Sequence, residues 1–228
     1  MPPTSSEQAP AVTSGARRPT VRKGDRTGQA ILDAVATLLQ DRQISEITVD
    51  EIAKGAGISR SAFYFHYDSR EAVLLALTER LHEELYRCGA AWFRRGDESP
   101  GEALHRAVGM TIALWREHGP ILRAGVRVRD TDPRLHKFWA DTGTRFFAAV
   151  AEHIDREREA GLALAGPPSS TKLAALLVNM NEQACIHYSM TPHTDKGDAD
   201  TIEALCAVWM RSVYGSVFGS GCEEGETR

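Results

Sequence analysis

The sequence lacks the features of a membrane-spanning or secreted protein. Its 228 residues contain no apolar run long enough to cross a bilayer, and the N-terminus has no hydrophobic signal core. Only four cysteines are present, and no two of them form a CxxC pair, which indicates neither a zinc module nor a disulfide framework. We therefore expect reduced thiols in a cytoplasmic protein that does not associate with a membrane.

Signatures of catalysis are also missing. The segment HEELY at 82–86 begins like the zinc motif HExxH, but Tyr86 stands where the second histidine would be. No GxxxxGK[ST] phosphate loop occurs, and GSVFGSG at 215–221 departs from GxGxxG. The eight histidines show no metal-ligand spacing. We expect no enzyme, no metal ion and no cofactor.

The net charge of −4 is unevenly distributed. Residues 17–26 carry five basic side chains against the single acid Asp25, within an N-terminal stretch rich in Pro, Ser, Thr, Ala and Gly. This composition predicts a disordered basic arm over 1–24, and we expect a disordered tail over 219–228. Composition alone allows the arm to contact DNA or to be a solvated tail.

Helical periodicity is present almost everywhere from residue 26 onward, and strand-like alternation is absent. The first apolar stripe consists of Ile31, Ala34, Val35, Leu38 and Leu39, which follow one face of a helix. Boundary signals recur along the rest of the chain. The sequence therefore predicts an all-α fold of about nine helices.

Capping residues place the predicted boundaries. Thr48 and Glu51 form a capping box, Gly57 suits a left-handed turn, and Ser59 is a second N-cap. Later helices are predicted to begin near residues 69, 99, 133, 171 and 200, with the last one ending at Phe218. The segment HGP at 118–120 is predicted to end the helix that contains it.

The segment GAGISRSAFYFHY at 55–67 indicates a helix-turn-helix motif. The turn needs glycine, and the second helix must present short polar side chains and a cation to base edges in the major groove. Outward phenol, imidazole and guanidinium groups suit phosphate oxygens. Phe63 and Phe65 are assigned to packing inside the motif. The residues expected to contact DNA are Thr48, Ser59, Arg60, Ser61, Ala62, Tyr64, His66 and Arg70.

At residues 47–74, ITVDEIAKGAGISRSAFYFHYDSREAVL closely resembles the DNA-binding signature of the TetR family of bacterial transcriptional regulators. The resemblance implies a helix-turn-helix domain at 25–68 and a ligand-binding and dimerisation domain at 69–218. It also implies a homodimeric repressor on a palindromic double-stranded operator, released by a hydrophobic small molecule. The family usually has other residues at Ser61, Ala62, Tyr67, Asp68 and Arg70, differences that concern the operator sequence more than DNA binding.

Bulky and small residues alternate through helices 99–189, a pattern that fits either an ordinary core or a cavity. RAG at 123–125, NMNE at 179–182 and VWMRSVYG at 208–215 resemble a mycobacterial branch of the family, the ethionamide-resistance repressors. That resemblance implies an effector channel in which Asn181 bonds an effector carbonyl; the alternative is an amide satisfied by the protein itself. The expected ligand-binding residues are Leu104, Thr111, Trp115, Trp139, Phe146, Met180, Asn181 and Trp209.

The last two helices are expected to pair with their copies in a four-helix dimer interface. The stripe assigned to this interface consists of Ile202, Leu205, Cys206, Val213 and Val217. A stripe this wide could equally cover the core of its own domain. Three classes of function therefore remain open: a repressor released by an effector, a DNA-binding regulator with a filled core, and a helical enzyme or ligand carrier.

Overall fold

The computed structural model describes residues 23–93 and 98–215. The predicted tail and all but the last two residues of the predicted arm lie outside these ranges. The described elements are α1 (Lys23–Leu38), a 3-10 turn (Ile44–Glu46), α2 (Val49–Gly55), α3 (Arg60–His66), α4 (Arg70–Ala90), α5 (Pro100–Val128), α6 (Pro133–Glu159), α7 (Ser170–Tyr188) and α8 (Asp195–Tyr214). No strand occurs among them, so the predicted all-α fold is confirmed.

The capping prediction is confirmed in the first part of the chain. The Thr48 hydroxyl accepts a hydrogen bond from the backbone N–H of Glu51, whose carboxylate accepts one from the backbone N–H of Thr48 at 2.8 Å. Gly57 has a φ of 68°, a left-handed conformation that glycine adopts without a steric cost. Ser59 then caps α3 by accepting from the backbone N–H of Ala62. These local contacts set the angle at which α3 follows α2.

The predicted helix end at HGP, residues 118–120, is wrong, because α5 continues through Pro120 to Val128. A proline inside a helix removes one backbone hydrogen bond, at a cost of about 3 kcal/mol. Burial on both sides of Pro120, at Gly119, Ile121 and Leu122, offsets that loss. α5 therefore extends well past its predicted end, and the described residues contain eight α-helices, close to the predicted number of about nine.

The predicted start of the last helix is also wrong. α8 begins at Asp195, because the hydroxyl of Thr194 accepts a hydrogen bond from the backbone N–H of Gly197 at 3.0 Å. This cap lies inside TPHTDKGDAD, which the composition of the segment had predicted to be a loop. α8 ends at Tyr214, before Gly215 in the left-handed conformation, and the predicted end at Phe218 lies outside the described residues.

Helices α1 to α3 share one apolar core with the start of α4. Ile31, Val35, Ile52, Phe63 and Val73 all have no exposed surface. α4 then continues into the larger bundle, where it packs against α5 and α6, while α5 also packs against α8 and α6 against α7. α4 thus belongs to both parts of the molecule. No helix in the described ranges is long and apolar enough to cross a membrane.

Candidate DNA interface and ligand cavity

The exposed face of α3 begins with small polar residues and a cation. The hydroxyl groups of Ser59 and Ser61 lie 2.9 Å apart and share a hydrogen bond. The guanidinium of Arg60 donates to the Asp50 carboxylate on α2 at 2.7 Å and to the Tyr64 hydroxyl at 3.3 Å. It also lies over the ring of Tyr64, 5.6 Å from the centroid. These contacts place the Arg60 guanidinium between Asp50 and Tyr64, on the solvent side of α3.

The two phenylalanines of α3 have opposite environments. Phe63 is buried, as predicted, with its ring 5.5 Å from the ring of Tyr64 in an edge-on contact. The prediction that Phe65 also packs inside the motif is wrong, because its side chain is 86% exposed. Two helical residues further on, a side chain has turned through about 200° and faces the opposite side. Phe65 therefore joins the outward face of α3, beside the ring of His66.

Two of the predicted DNA contacts also support the local structure. The Thr48 hydroxyl donates to Glu51 at 2.7 Å within the capping box. Hydrogen bonds from Arg42 and from Thr48 hold the pKa of Glu51 down to about 2. Arg70 donates to the carbonyl oxygens of Ser45 at 2.9 Å and Ile47 at 2.8 Å, so it fixes the loop before α2. This bracing role was not predicted from the sequence.

A cavity of about 590 Å³ lies between the helices of the larger bundle. One face of each of α4, α5, α6 and α7 lines it, and Trp209 from α8 completes the wall. The lining is mainly apolar and aromatic, and glycines allow the close approach of large rings. At Gly89 an added Cβ would lie 2.3 Å from the ring of Phe146. This volume lies within the range of about 300–1,000 Å³ that is usual for ligand pockets.

Seven of the eight predicted ligand residues line this cavity: Leu104, Thr111, Trp115, Trp139, Phe146, Asn181 and Trp209. Met180 does not. On α7 the lining side chains are Val178, Asn179, Asn181, Glu182 and Cys185, and all but Asn179 follow the helical spacing i, i+3, i+4 and i+7. Met180 falls outside that series and packs against the core instead.

The Asn181 amide has a protein partner, which the sequence had left as the alternative to a ligand contact. The indole Nε1–H of Trp209 donates to Asn181 Oδ1 at 2.9 Å. Because an indole N–H can only donate, the amide must place its oxygen toward Trp209. Its NH₂ group is then the part of the amide left for a ligand. The protein contact therefore orients Asn181 and leaves its donors available.

Sequence reasoning missed several polar residues of the cavity wall. Arg129 forms an ion pair with Glu182 at 3.4 Å, and its guanidinium lies 5.6 Å from the ring centroid of Trp139. Burial raises the pKa of Glu182, and the nearby charge of Arg129 opposes that shift. His82, considered in the sequence only as part of a metal motif, also lines the cavity. No cluster in the described ranges contains three side chains arranged to hold a metal ion.

Most of the stripe assigned to dimerisation lies inside the protomer. Leu205, Cys206 and Val213 are buried against the core of their own domain, which is the alternative that the sequence had left open. Ile202 is half-buried, and Val217 lies outside the described residues. The exposed large apolar residues of α7 and α8 are Leu176, 66% exposed, and Val208, 40% exposed. Residues that face the core are unavailable to a second chain, so a dimer surface on these helices must use the opposite face.

Comparison with known proteins identifies the class to which this fold and these sites belong. Residues 31–77 match the family described as bacterial regulatory proteins, tetR family. Residues 104–215 match the C-terminal domain of the transcriptional regulator EthR. The chain belongs to the TetR family of bacterial transcriptional regulators. These are DNA-binding proteins, which agrees with the sequence argument against an enzyme.

Individual relatives support this assignment over nearly the whole chain. The chain is 31% identical to the HTH-type transcriptional regulator EthR of Mycobacterium tuberculosis over 213 residues, covering 93% of this chain and 98% of that protein. It is also 31% identical to EthR of Mycolicibacterium smegmatis over 208 residues, covering 90% and 94%. A TetR-family regulator from Rhodococcus sp. has a similar fold, with a TM-score of 0.67 at 18% identity, over 81% of this chain and 98% of the other.

Proposed function

We propose that the chain is a homodimeric repressor that binds a palindromic operator and is released by a hydrophobic small molecule. The observation that carries this proposal is the position of α4. Its first residue, Arg70, braces the loop before α2, and its later turns supply one wall of the cavity. A molecule that shifts α4 from the cavity side therefore acts directly on the support of the helix-turn-helix motif.

The outward face of α3 supports the proposed DNA contact. Its N-terminal turn offers hydroxyl groups and the Arg60 guanidinium, which are the groups that bond base edges in the major groove. Tyr64 is exposed and His66 is half-buried, and a phenol or an imidazole can bond phosphate oxygens. Phe65 adds an exposed apolar ring to the same helix. A single short helix reads few base pairs, so a dimer with recognition helices about 34–36 Å apart would double the contact.

The cavity supports the proposed effector. Small-molecule sites usually enclose about 300–1,000 Å³ and combine apolar walls with a few polar groups. Here the aromatic walls suit an apolar molecule, and the Asn181 NH₂ group suits a carbonyl oxygen. The effector can shift the repressor between two states only by its difference in affinity for them. We infer that the effector binds the DNA-free arrangement of the two recognition helices more tightly.

Two linked measurements test the proposed function. Fluorescence anisotropy should show binding to one short palindrome upstream of the protein's own gene, over scrambled DNA, across a series of salt concentrations. Apolar amides and esters that raise the melting temperature of the free protein should then weaken this complex. Operator binding without any effect of such ligands would favour a regulator with a filled core. No DNA binding at low salt by folded protein would contradict the interpretation of residues 55–67.

Two substitutions at Arg60 should distinguish its contribution to base recognition from the contribution of its charge to operator affinity. Arg60→Ala should weaken operator binding by about 1–3 kcal/mol and relax the base preference at one position of each half-site, because a bidentate contact to guanine is lost. Arg60→Lys keeps the charge but not the two parallel donors, so its salt dependence should stay near that of the wild type while the preference is lost. Anisotropy with single-base operator variants measures both. An unchanged preference in both variants would contradict this role.

A further inference from the structure

His82 is a buried polar side chain in the cavity wall. It lies on the fourth turn of α4, is only 7% exposed, and contacts the rings of Trp139 at 4.1 Å and Phe138 at 5.1 Å between centroids. On the same face of α4, Leu85, Tyr86 and Gly89 continue the wall. An imidazole in such apolar surroundings needs a hydrogen-bond partner for each ring nitrogen.

The backbone determines which nitrogen of His82 carries the proton. Nδ1 lies 3.0 Å from the carbonyl oxygen of Thr78, one turn earlier in α4, and a carbonyl oxygen can only accept. Nδ1 is therefore the donor. Burial lowers the pKa of His82 to about 4, so the ring is neutral at pH 7. Nε2 then carries a lone pair and is an acceptor.

That acceptor has no hydrogen-bond partner in the part of the chain that the structure describes. No donor within residues 23–93 and 98–215 hydrogen-bonds Nε2, although the ring is buried and belongs to the cavity lining. Nδ1 faces the backbone of α4, so Nε2 lies on the far side of the ring from that helix. Water can satisfy Nε2 while the cavity is empty of ligand. A ligand that displaces this water must replace its hydrogen bond or leave a buried acceptor unpaired.

We propose that His82 selects the effector: its Nε2 accepts a hydrogen bond from a hydroxyl or N–H group of the bound molecule. This inference rests on the proposed ligand-binding function of the cavity. Together with the donors of Asn181, it defines an apolar molecule that carries both a hydrogen-bond donor and an acceptor, such as a secondary amide. Esters, ethers and tertiary amides of the same shape satisfy Asn181 but not His82.

Matched ligand pairs test the proposal. N-benzyloctanamide is compared with its N-methyl derivative, and decanol with its methyl ether, by calorimetric titration of the full-length protein. The wild type should bind each donor-bearing ligand at least about tenfold more tightly than its methylated partner, because a site that hydrogen-bonds a ligand group rejects the analogue that lacks it. His82→Leu, which removes the acceptor at similar volume, should reduce this ratio to below about threefold.

Two variants serve as controls. His82→Gln retains an acceptor on a side chain of comparable reach and should restore most of the preference. His187→Leu removes an exposed histidine from α7, outside the cavity lining, and should leave the preference at the wild-type value. If His82→Leu does not fold, equal binding of the two members of each pair to the wild type still overturns the proposal, and the preference retained by His82→Gln tests whether it belongs to this position.

The outcomes separate this inference from the proposed function. Equal binding of both members of each pair to the wild type would overturn the role of His82 and leave an effector cavity in place. The indole N–H of Trp139 is buried without a partner among the described residues. Equal binding of both members is expected if this N–H turns to donate to Nε2 of His82. A preference that survives in His82→Leu would assign the acceptor to another group. No binding of any of the four ligands would count against the effector cavity itself, and the inference would fall with it.

Discussion

Phe63→Ala should lower the free energy of unfolding by about 3–5 kcal/mol. The ring has no exposed surface and lies in the core that α1, α2, α3 and the start of α4 share. Its removal leaves a cavity that the surrounding side chains, fixed by their own packing, fill only in part. Urea unfolding followed by circular dichroism measures the change, and Phe63→Leu, which fills part of the space, should lose only about 1–1.5 kcal/mol.

Phe65→Ala is the matched comparison, since it removes the same side chain two positions further along α3. Because Phe65 is 86% exposed, its stability should stay within about 0.5 kcal/mol of the wild type. Its operator affinity should fall, however, because the ring lies on the outward face of α3. A loss of stability equal to that of Phe63→Ala would mean that the ring of Phe65 packs inside the motif after all.

This pair of residues shows where sequence reasoning is reliable. The motif, its caps and the left-handed Gly57 depend on residues within a few positions of one another, so the sequence predicts them well. Phe65 was misassigned because aromatic residues were grouped by type rather than by their angle around α3. The helical period alone would have placed it opposite Phe63.

Pro120 shows a different limit. The tendency of proline to end a helix is local. Whether α5 ends or continues at Pro120 depends instead on burial along α5 and on the packing of the end of α7 against it. An added Cβ on Gly119 would lie 3.1 Å from the Cβ of Ser189, so the two helices meet closely beside the proline. Contacts between helices so distant in sequence are not visible in a local pattern.

The cavity was predictable in outline and not in its polar detail. Helical periodicity and the family resemblance together identified eight residues, and seven of them line the cavity. The roles of Asn181 and His82 depend on the indole of Trp209 and the carbonyl of Thr78, which fix the amide orientation and the imidazole tautomer. Spacing indicates which side chains share a face, but not which atom of each remains for a ligand.

Leu176→Arg and Val208→Arg should each convert the proposed dimer to a monomer. Both side chains are exposed on α7 and α8, whose other apolar faces are already buried within the protomer. Placing a charge at the centre of an apolar interface leaves it desolvated and unpaired, which costs several kcal/mol. Sedimentation velocity measures the oligomeric state. A monomer contacts a single half-site, so the operator affinity should also fall by about 100-fold or more.

Leu162→Arg is the control for these two variants, since Leu162 is 46% exposed but lies in the connection between α6 and α7. It should remain dimeric and keep the wild-type operator affinity, which would show that an added surface charge is not itself disruptive. If both helix variants stayed dimeric, the dimer surface would lie away from the exposed faces of α7 and α8. If they became monomeric and still bound the operator as tightly as the wild type, recognition would not require two half-sites. Variants that stay dimeric would therefore show that the dimer interface lies elsewhere on the protein. Variants that become monomeric and keep the wild-type operator affinity would contradict the proposed mode of DNA recognition.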